Sequence, residues 1–161
     1  MSIEKVRDYM KKFGRENEII EFDKSSATVE LAAEAANTIP ARIAKTLSFK
    51  VGEGAILIVM AGDAKIDNKK YRHEFSCKAK MLSLDEVVEF TGHEKGGVCP
   101  FAIYRDDVKV YLDESMKRFE TLLPAAGSSN SAIELTCDEM EEISSNFAKW
   151  VDVCKGWQEE N

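Results

Sequence analysis

The sequence predicts a domain of the mixed α/β (α+β) class, in which helices flank one mixed, largely antiparallel sheet. Predicted strands and helices interleave along the chain, but without the regular βαβ rhythm of an all-parallel sheet. Gly52 and Gly54 predict a tight hairpin, whose two strands pair antiparallel. A chain of 161 residues, of which 44% are apolar, can bury one ordinary core. We therefore expect a single domain over residues 1–161.

The helices are predicted from their caps and from apolar residues at helical spacing. Ile3, Val6, Met10 and Phe13 share one face of a first helix, and Gly14 is placed to end it. A second helix is predicted at residues 29–36, after the N-cap candidates Ser25, Ser26 and Thr28, and a third at residues 67–75, capped by Asp67. The capping box Ser83/Glu86 predicts a helix that ends at Gly92, and a short helical turn follows Asp113. The capping box Thr136/Glu139 predicts the last helix, with Met140, Ile143 and Phe147 on one face.

The strands are predicted from alternating or continuous apolar residues. Residues 55–61, Ala-Ile-Leu-Ile-Val-Met-Ala, are continuously apolar, which is typical of a strand covered on both faces and predicts the centre of the sheet. Two loops rich in glycine and small polar residues occupy positions 92–101 and 122–131. The remaining predicted strands are residues 18–22, 41–51, 101–104, 108–112 and 132–135.

Lys45 is unusual because it interrupts an apolar strand face. In a strand over residues 41–51, Lys45 shares its face with Leu47, Phe49 and Val51. Its ammonium group either sits at the strand end and reaches water or projects into a pocket beside the core. A positive charge at the edge of an apolar cavity can bind a phosphate or a carboxylate. The pattern alone leaves both alternatives open.

Composition excludes several classes of function. No apolar run approaches the roughly 20 residues of a membrane-spanning helix, and the charged N-terminus is unlike a signal peptide, so we expect a cytoplasmic protein with no membrane partner. The four cysteines lack a C-x-x-C pair and the two histidines lack H-E-x-x-H spacing, so no disulfide framework, metal site or cofactor is predicted. The net charge of −7 argues against indiscriminate binding of nucleic acid.

A basic cluster lies in and after the predicted helix at residues 67–75. It forms either a solvated surface or a patch that binds phosphate, and the sequence does not decide between them. Its members are Lys69, Lys70, Arg72, Lys78 and Lys80.

Three ordered segments resemble one family. They are residues 39–47 (Ile-Pro-Ala-Arg-Ile-Ala-Lys-Thr-Leu), residues 91–101 (Thr-Gly-His-Glu-Lys-Gly-Gly-Val-Cys-Pro-Phe), and residues 110–115 with 124–135, which include Gly-Ser-Ser-Asn-Ser at 127–131. Together they are similar to the YbaK/EbsC family, which is related to the editing (insertion) domain of bacterial prolyl-tRNA synthetase. The resemblance covers roughly residues 25–147 and implies a curved mixed sheet flanked by helices.

The resemblance implies a freestanding aminoacyl-tRNA deacylase. Such an enzyme acts in trans on tRNA-Pro that carries a small wrong amino acid, such as alanine or cysteine. It hydrolyses the ester between the amino acid and the terminal ribose without a metal or cofactor. The implied partners are the acceptor end of a tRNA and, by family inference alone, prolyl-tRNA synthetase.

The resemblance also implies the site residues. A lysine can hold the terminal phosphate and orient the ester, while loop amides can stabilise the oxyanion, so no protein nucleophile is required. The implied catalytic residues are Lys45, Gly96 and Gly97, and the implied substrate-binding residues are Val98, Cys99, Pro100, Phe101, Asp113, Gly127, Ser128, Ser129, Asn130 and Ser131.

Several roles stay open at the level of sequence. Cys99 could be a nucleophile or could shape the pocket, and His93 could be a general base or a turn residue held by local hydrogen bonds. Asn130 could bind the aminoacyl group or satisfy its own loop. The alternative function is a noncatalytic protein that binds an aminoacyl or nucleotide-like ligand, or a synthetase, and regulates it.

Overall fold

The computed structural model describes residues 2–23, 28–94 and 96–157. It confirms the mixed α/β class, with a six-stranded mixed sheet among helices. The helices are α1 Ser2–Met10, α2 Val29–Ala35, α3 Asn68–Phe75, α4 Leu84–Thr91 and α5 Cys137–Ile143. The strands are β1 Ile20–Glu21, β2 Ile43–Val51, β3 Gly54–Ala61, β4 Lys65–Ile66, β5 Lys109–Asp113, β6 Thr121–Pro124, β7 Ser131–Ala132, β8 Leu135–Thr136, β9 Phe147–Val151 and β10 Cys154–Lys155.

The main sheet has the strand order β8-β6-β2-β3-β5-β9. Strands β2 and β3 form the predicted antiparallel hairpin, and Gly52 takes φ +62° in its turn. Strand β3 lies at the centre, and its residues from Ala55 onward are all buried, as the apolar run predicts. Within the described residues, four of the seven strand pairings are antiparallel and three are parallel.

The helix starts follow the predicted caps. Asp67 accepts hydrogen bonds from the amides of Lys69 and Lys70 at the start of α3. Both predicted capping boxes are formed, at the starts of α4 and α5. Thr28 caps α2, whereas the other two candidates, Ser25 and Ser26, lie outside the described residues.

Helices α3 and α4 lie on opposite faces of β2. The Phe49 ring lies 5.2 Å from the Tyr71 ring of α3, centroid to centroid. The neighbouring Lys50 side chain reaches Glu86 of α4, with Nζ 3.4 Å from Oε2. Since successive side chains of a strand alternate between faces, β2 is covered on both sides along this part.

The predicted strand at residues 101–104 is wrong. Ala102 has φ +59°, a left-handed conformation that does not continue a strand. The Ile103 amide donates to the Ser145 hydroxyl oxygen at 3.3 Å instead of to a strand. This segment is therefore a fixed loop beside the core.

Residues 122–124, which the sequence predicts to lie in a loop, belong to strand β6. This strand lies between β8 and β2. Its last residue, Pro124, pairs with Ala44 of β2 without needing an amide hydrogen.

The C-terminal elements are shorter than predicted. Helix α5 ends at Ile143, and Phe147 begins β9 instead of extending the helical face. Asn146 takes φ +51° and its side-chain amide donates to the carbonyl oxygens of Arg105 and Val108, at 2.8 and 3.0 Å. The predicted strand at 132–135 is divided into β7 and β8.

None of the described helices combines the length and apolar content that crossing a bilayer requires.

Candidate functional site

A cavity of about 440 Å³ opens beside β2. Its lining is mostly apolar and comes from α2, residues 43–48 of β2, residues 81–87 around the start of α4, and parts of both glycine-containing loops. An apolar cavity with a few polar groups is the usual form of a small-ligand site. Of the predicted site residues, Lys45, Gly96, Val98 and Ser131 line this cavity, whereas Gly97, Cys99, Pro100, Phe101, Asp113, Gly127, Ser128, Ser129 and Asn130 are not in its lining.

Lys45 lies partly buried in the cavity wall. Its Nζ is 3.4 Å from the carbonyl oxygen of Gly62, at the end of the hairpin. Burial lowers the pKa of Lys45, and the nearby negative charges of Asp63 and Glu30 counter part of that effect. Of the two alternatives left by the sequence, the structure therefore selects the pocket position.

Gly62 holds the wall beside Lys45 together. A Cβ atom at this position would lie 2.0 Å from the carbonyl oxygen of Pro40 and 2.8 Å from the Val29 side chain. Only glycine allows the Pro40 turn and α2 to pack directly on the end of β3. This close packing fixes the carbonyl that Lys45 contacts.

The two glycine-containing loops touch through their main chains. A Cβ at Gly97 would lie 2.7 Å from the carbonyl oxygen of Gly127, and Gly96 has φ +88°. Ser129 lies on the same contact, 3.1 Å from the Cβ position at Gly96. The loops that the resemblance placed in one pocket are therefore adjacent, with Gly96 and Val98 facing the cavity and Gly97 in the contact between loops.

Ser128, Asn130 and Ser131 form hydrogen bonds with one another. The Ser128 hydroxyl lies 2.9 Å from Asn130 Oδ1 and 2.7 Å from Ser131 Oγ. The Asn130 side-chain amide donates to the carbonyl oxygen of Phe22 at 3.1 Å, and the Phe22 amide donates back to the carbonyl of Asn130 at 2.7 Å. In this structure the Asn130 side chain ties its loop to the residue after β1.

Asp113 is fully buried away from the cavity lining. Its Oδ2 accepts from the Ser115 amide and its Oδ1 accepts from the Val153 amide, each at 2.9 Å. The carboxylate thus caps the turn after β5 and fixes the chain before β10. A substrate-binding role for Asp113 stays a prediction that this geometry does not support.

Cys99 and His93 form a buried neutral pair. The Cys99 Sγ is 3.6 Å from His93 Nε2, and that nitrogen is 2.7 Å from the carbonyl oxygen of Phe101. Burial raises the pKa of the Cys99 thiol to about 12 and lowers the pKa of His93. Since Cys99 has no exposed surface, the geometry favours a packing role over nucleophilic attack.

The basic cluster lies outside the cavity lining. Lys70 Nζ is held 3.0 Å from Asp152 Oδ1 and 3.1 Å from the carbonyl oxygen of Cys154. This part of the cluster supports the C-terminal strands, so its phosphate-binding role stays a prediction.

Most of the lining was not predicted from the sequence, including its positions on α2 and among residues 81–87. Val29 and Ala32 of α2, and Ala36 directly after it, line the cavity, and their i, i+3, i+7 spacing was the available signal. Thr46 was missed because it follows Lys45 in an ordinary strand pattern. Its Oγ1 is buried and has no hydrogen-bond partner among the described residues.

The donors needed to hold a metal are not grouped in the described part of the chain. No cluster of three or more histidine, cysteine, aspartate or glutamate side chains with suitable geometry occurs there.

Fold and cavity together define a domain in which one strand of a mixed sheet and two touching loops line an apolar cavity. The chain belongs to the aminoacyl-tRNA editing domain family, whose model matches residues 23–143.

Relatives of known sequence and structure agree with this membership. The chain is 58% identical to the uncharacterized protein YwhH of Bacillus subtilis (strain 168), over 98% of this chain and 100% of that protein. It is 29% identical to the proline–tRNA ligase of Lactobacillus gasseri over 104 residues, which are 64% of this chain but 18% of the ligase. A crystal structure of a protein proposed to be a trans-editing enzyme for prolyl tRNA synthetase superposes with a TM-score of 0.85 at 25% identity, covering 96% of this chain and 98% of that one.

Proposed function

We propose that this chain is an aminoacyl-tRNA deacylase that acts in trans on tRNA-Pro carrying a wrong amino acid. The observation that carries the proposal is that Lys45 and the Gly96 loop line one apolar cavity. Membership of an aminoacyl-tRNA editing family supports the substrate class. The similarity to part of a proline–tRNA ligase supports the choice of tRNA.

The proposed reaction uses water as the nucleophile. No cysteine, histidine, aspartate or glutamate is among the described lining residues, and the lysine there, Lys45, is assigned to phosphate binding, so the proposed route needs no protein nucleophile. The water oxygen bonds to the carbonyl carbon, the bond to the ribose oxygen breaks, and the proton that the water loses is taken up by the ribose oxygen. An aminoacyl ester is reactive enough for this route.

The proposed donors are Lys45 and the loop that contains Gly96. Ester hydrolysis builds negative charge on the carbonyl oxygen, close to a nucleotide that already carries phosphate. The Lys45 ammonium group would hold the phosphate and orient the ester, while loop amides stabilise the developing oxyanion. Removing one such donor typically lowers the rate by about 100- to 1000-fold.

The proposed amino acid is small, such as alanine or cysteine. The walls from α2 and α4 are apolar and the volume of about 440 Å³ must also admit part of the terminal nucleotide. A hydrophobic pocket separates amino acids that differ by one methylene by only about 10- to 200-fold. Proline is therefore expected to be excluded by its shape and its ring more than by polar contacts.

The proposed partner is the acceptor end of the tRNA. With a net charge of −7, the chain has little general attraction for a polyanion, so contact is expected to concentrate at the cavity. Prolyl-tRNA synthetase is a proposed partner that would supply the mischarged tRNA. The proposed location is the cytoplasm, where tRNA is charged.

The test measures amino-acid release from tRNA-Pro charged with alanine, cysteine, serine, threonine or proline. Each rate is divided by the spontaneous rate of the same ester. We expect alanine or cysteine to be released at least about 100-fold above the spontaneous rate, with proline spared. If no ester is hydrolysed faster, but an aminoacyl-adenosine analogue raises the melting temperature, the noncatalytic binding function replaces this proposal.

A further inference from the structure

The main-chain groups of β2 alternate between its two neighbours. The Lys50 amide donates to the Lys80 carbonyl at 2.7 Å, and the Ser48 carbonyl accepts from the Leu82 amide at 3.2 Å. Both bonds point away from β3, which pairs with the other edge of β2. In a strand, the main-chain N–H and C=O groups of every second residue point to the same side. The main-chain groups of the even-numbered residues of β2 therefore point away from β3.

Thr46 lies in a gap on that side. Strand β6 pairs with β2 only at Ile43 and Ala44, while residues 80–82 cover β2 from Ser48 onward. The amide and carbonyl of Thr46 consequently have no main-chain partner among the described residues. Main-chain groups within a sheet are nearly always paired, so an open position in mid-strand calls for a ligand or water.

The Thr46 side chain adds a third open group. Its Oγ1 is buried and has no hydrogen-bond partner in the described part of the chain. Thr46 lines the cavity. At this one residue an N–H donor, a carbonyl acceptor and a hydroxyl therefore all lack a partner among the described residues.

We propose that Thr46 binds the aminoacyl group, which pairs with it as one residue of an added strand would. The ester carbonyl oxygen accepts from the Thr46 amide as well as from the Gly96 loop amides, since it has two lone pairs, while the α-amino group donates to the Thr46 carbonyl and Oγ1. This is the donor–acceptor pattern by which an extended peptide joins an open strand edge, reduced to one residue. The inference rests on the proposed function and assigns it a ligand class, acyl groups with a free α-amino group.

The first test separates a binding role of the hydroxyl from a structural one. Thr46→Val keeps the shape and removes the hydroxyl. Because Oγ1 has no partner in the free protein, the melting temperature is expected to stay equal or rise, while release of alanine falls about 10- to 100-fold. Thr46→Ser restores the hydroxyl and is expected to recover most of that loss. A fall in melting temperature with Thr46→Val would contradict the assignment.

The second test removes the amino group from the substrate. Alanyl-tRNA is compared with propionyl-tRNA, and each rate is divided by the spontaneous rate, since an ammonium group activates its own ester. Wild-type protein is expected to favour the alanyl ester by about 10-fold or more, and Thr46→Val to reduce that preference. Equal acceleration of both esters by wild type would overturn the proposal while leaving the deacylase function intact.

A third measurement needs no turnover. Amide hydrogen exchange at Thr46 is followed by NMR with 3′-alanylamino-3′-deoxyadenosine, whose amide is not hydrolysed, and with its propionyl counterpart. Exchange at Thr46 is expected to slow with the alanyl analogue and little with the propionyl one, whereas Lys45 and Leu47, whose amides face β3, serve as internal controls. No slowing at a saturating analogue concentration overturns the proposal, even if the protein hydrolyses no ester.

Discussion

Lys45 combines a charged side chain with a position that disfavours charge. It shares a strand face with buried Phe49, and its Nζ lies 3.4 Å from the Gly62 carbonyl oxygen. Burial lowers its pKa, so the ammonium form is held less firmly than in water. An anionic ligand beside the ammonium group would raise the pKa of Lys45 again, as expected for a lysine that binds phosphate.

The titration of Lys45 gives a prediction with a defined sign. The folded state releases the Lys45 proton below 10.5, the ordinary lysine pKa, whereas the unfolded state keeps it up to that value. In the window between the lowered pKa and 10.5 the unfolded state binds more protons, so stability rises with pH there. The stability of wild type relative to Lys45→Met should therefore increase through this window.

Two measurements check this. NMR titration of the Lys45 side chain should give a midpoint below 10.5. Urea unfolding of wild type and Lys45→Met should show that the unfolding free energy of wild type rises relative to that of the variant as the pH approaches 10.5. A midpoint at or above 10.5 in the free protein contradicts the buried position of this amine.

At the scale of elements, the contact between the two glycine-containing loops determines the shape of the cavity. Gly97 lies directly against the Gly127 main chain. This contact positions the residues on either side of it, Gly96 and Val98, which line the cavity.

Gly97→Ala should separate the loops. Its Cβ would lie 2.7 Å from a carbonyl oxygen, so the main chain must shift, at an expected cost of about 1–3 kcal/mol in unfolding free energy and a loss of deacylation. Gly54→Ala is the matched control, because its Cβ would meet nothing closer than 3.8 Å. Urea unfolding and release assays measure both variants. If Gly97→Ala had the unfolding free energy and the deacylation rate of wild type, the contact between the loops would not be needed for stability or activity.

The elements that the sequence predicted well are those fixed locally. Capping boxes at Ser83 and Thr136 place their helices because donor and acceptor lie three residues apart. The hairpin at Gly52 is local in the same way. Strand β6 was missed because neither of its pairings, with β2 or with β8, is signalled by the residues next to it in the sequence. The left-handed Ala102 was missed because alanine carries no signal for that conformation.

The candidate site was predictable to a similar degree. Lys45 could be found because a charge breaks an apolar face, and Gly96 because glycine doublets mark close main-chain approaches. Asp113 and Asn130 show the limit of such reasoning, since main-chain amides or carbonyls bind both side chains. Spacing in the sequence cannot reveal which polar groups already have partners.

At the scale of the whole molecule, the fold places one charged side chain of β2 in the cavity and another outside it. Lys45 lines the cavity, whereas Lys50 pairs with Glu86 of α4 and is not in the lining. The same substitution at these two positions therefore separates the effect of the cavity charge from the effect of losing a lysine on this strand. The pair with Glu86 is partly exposed, so its loss should cost little stability.

The most direct measurement is amino-acid release from the mischarged tRNA-Pro that wild type hydrolyses fastest, for Lys45→Met, Lys50→Met and Cys99→Ala. We predict a fall of about 100- to 1000-fold for Lys45→Met and changes within a few-fold for the other two variants. Full activity in Lys45→Met, or its loss in a folded Cys99→Ala protein, would contradict hydrolysis by water at a cavity organised by Lys45.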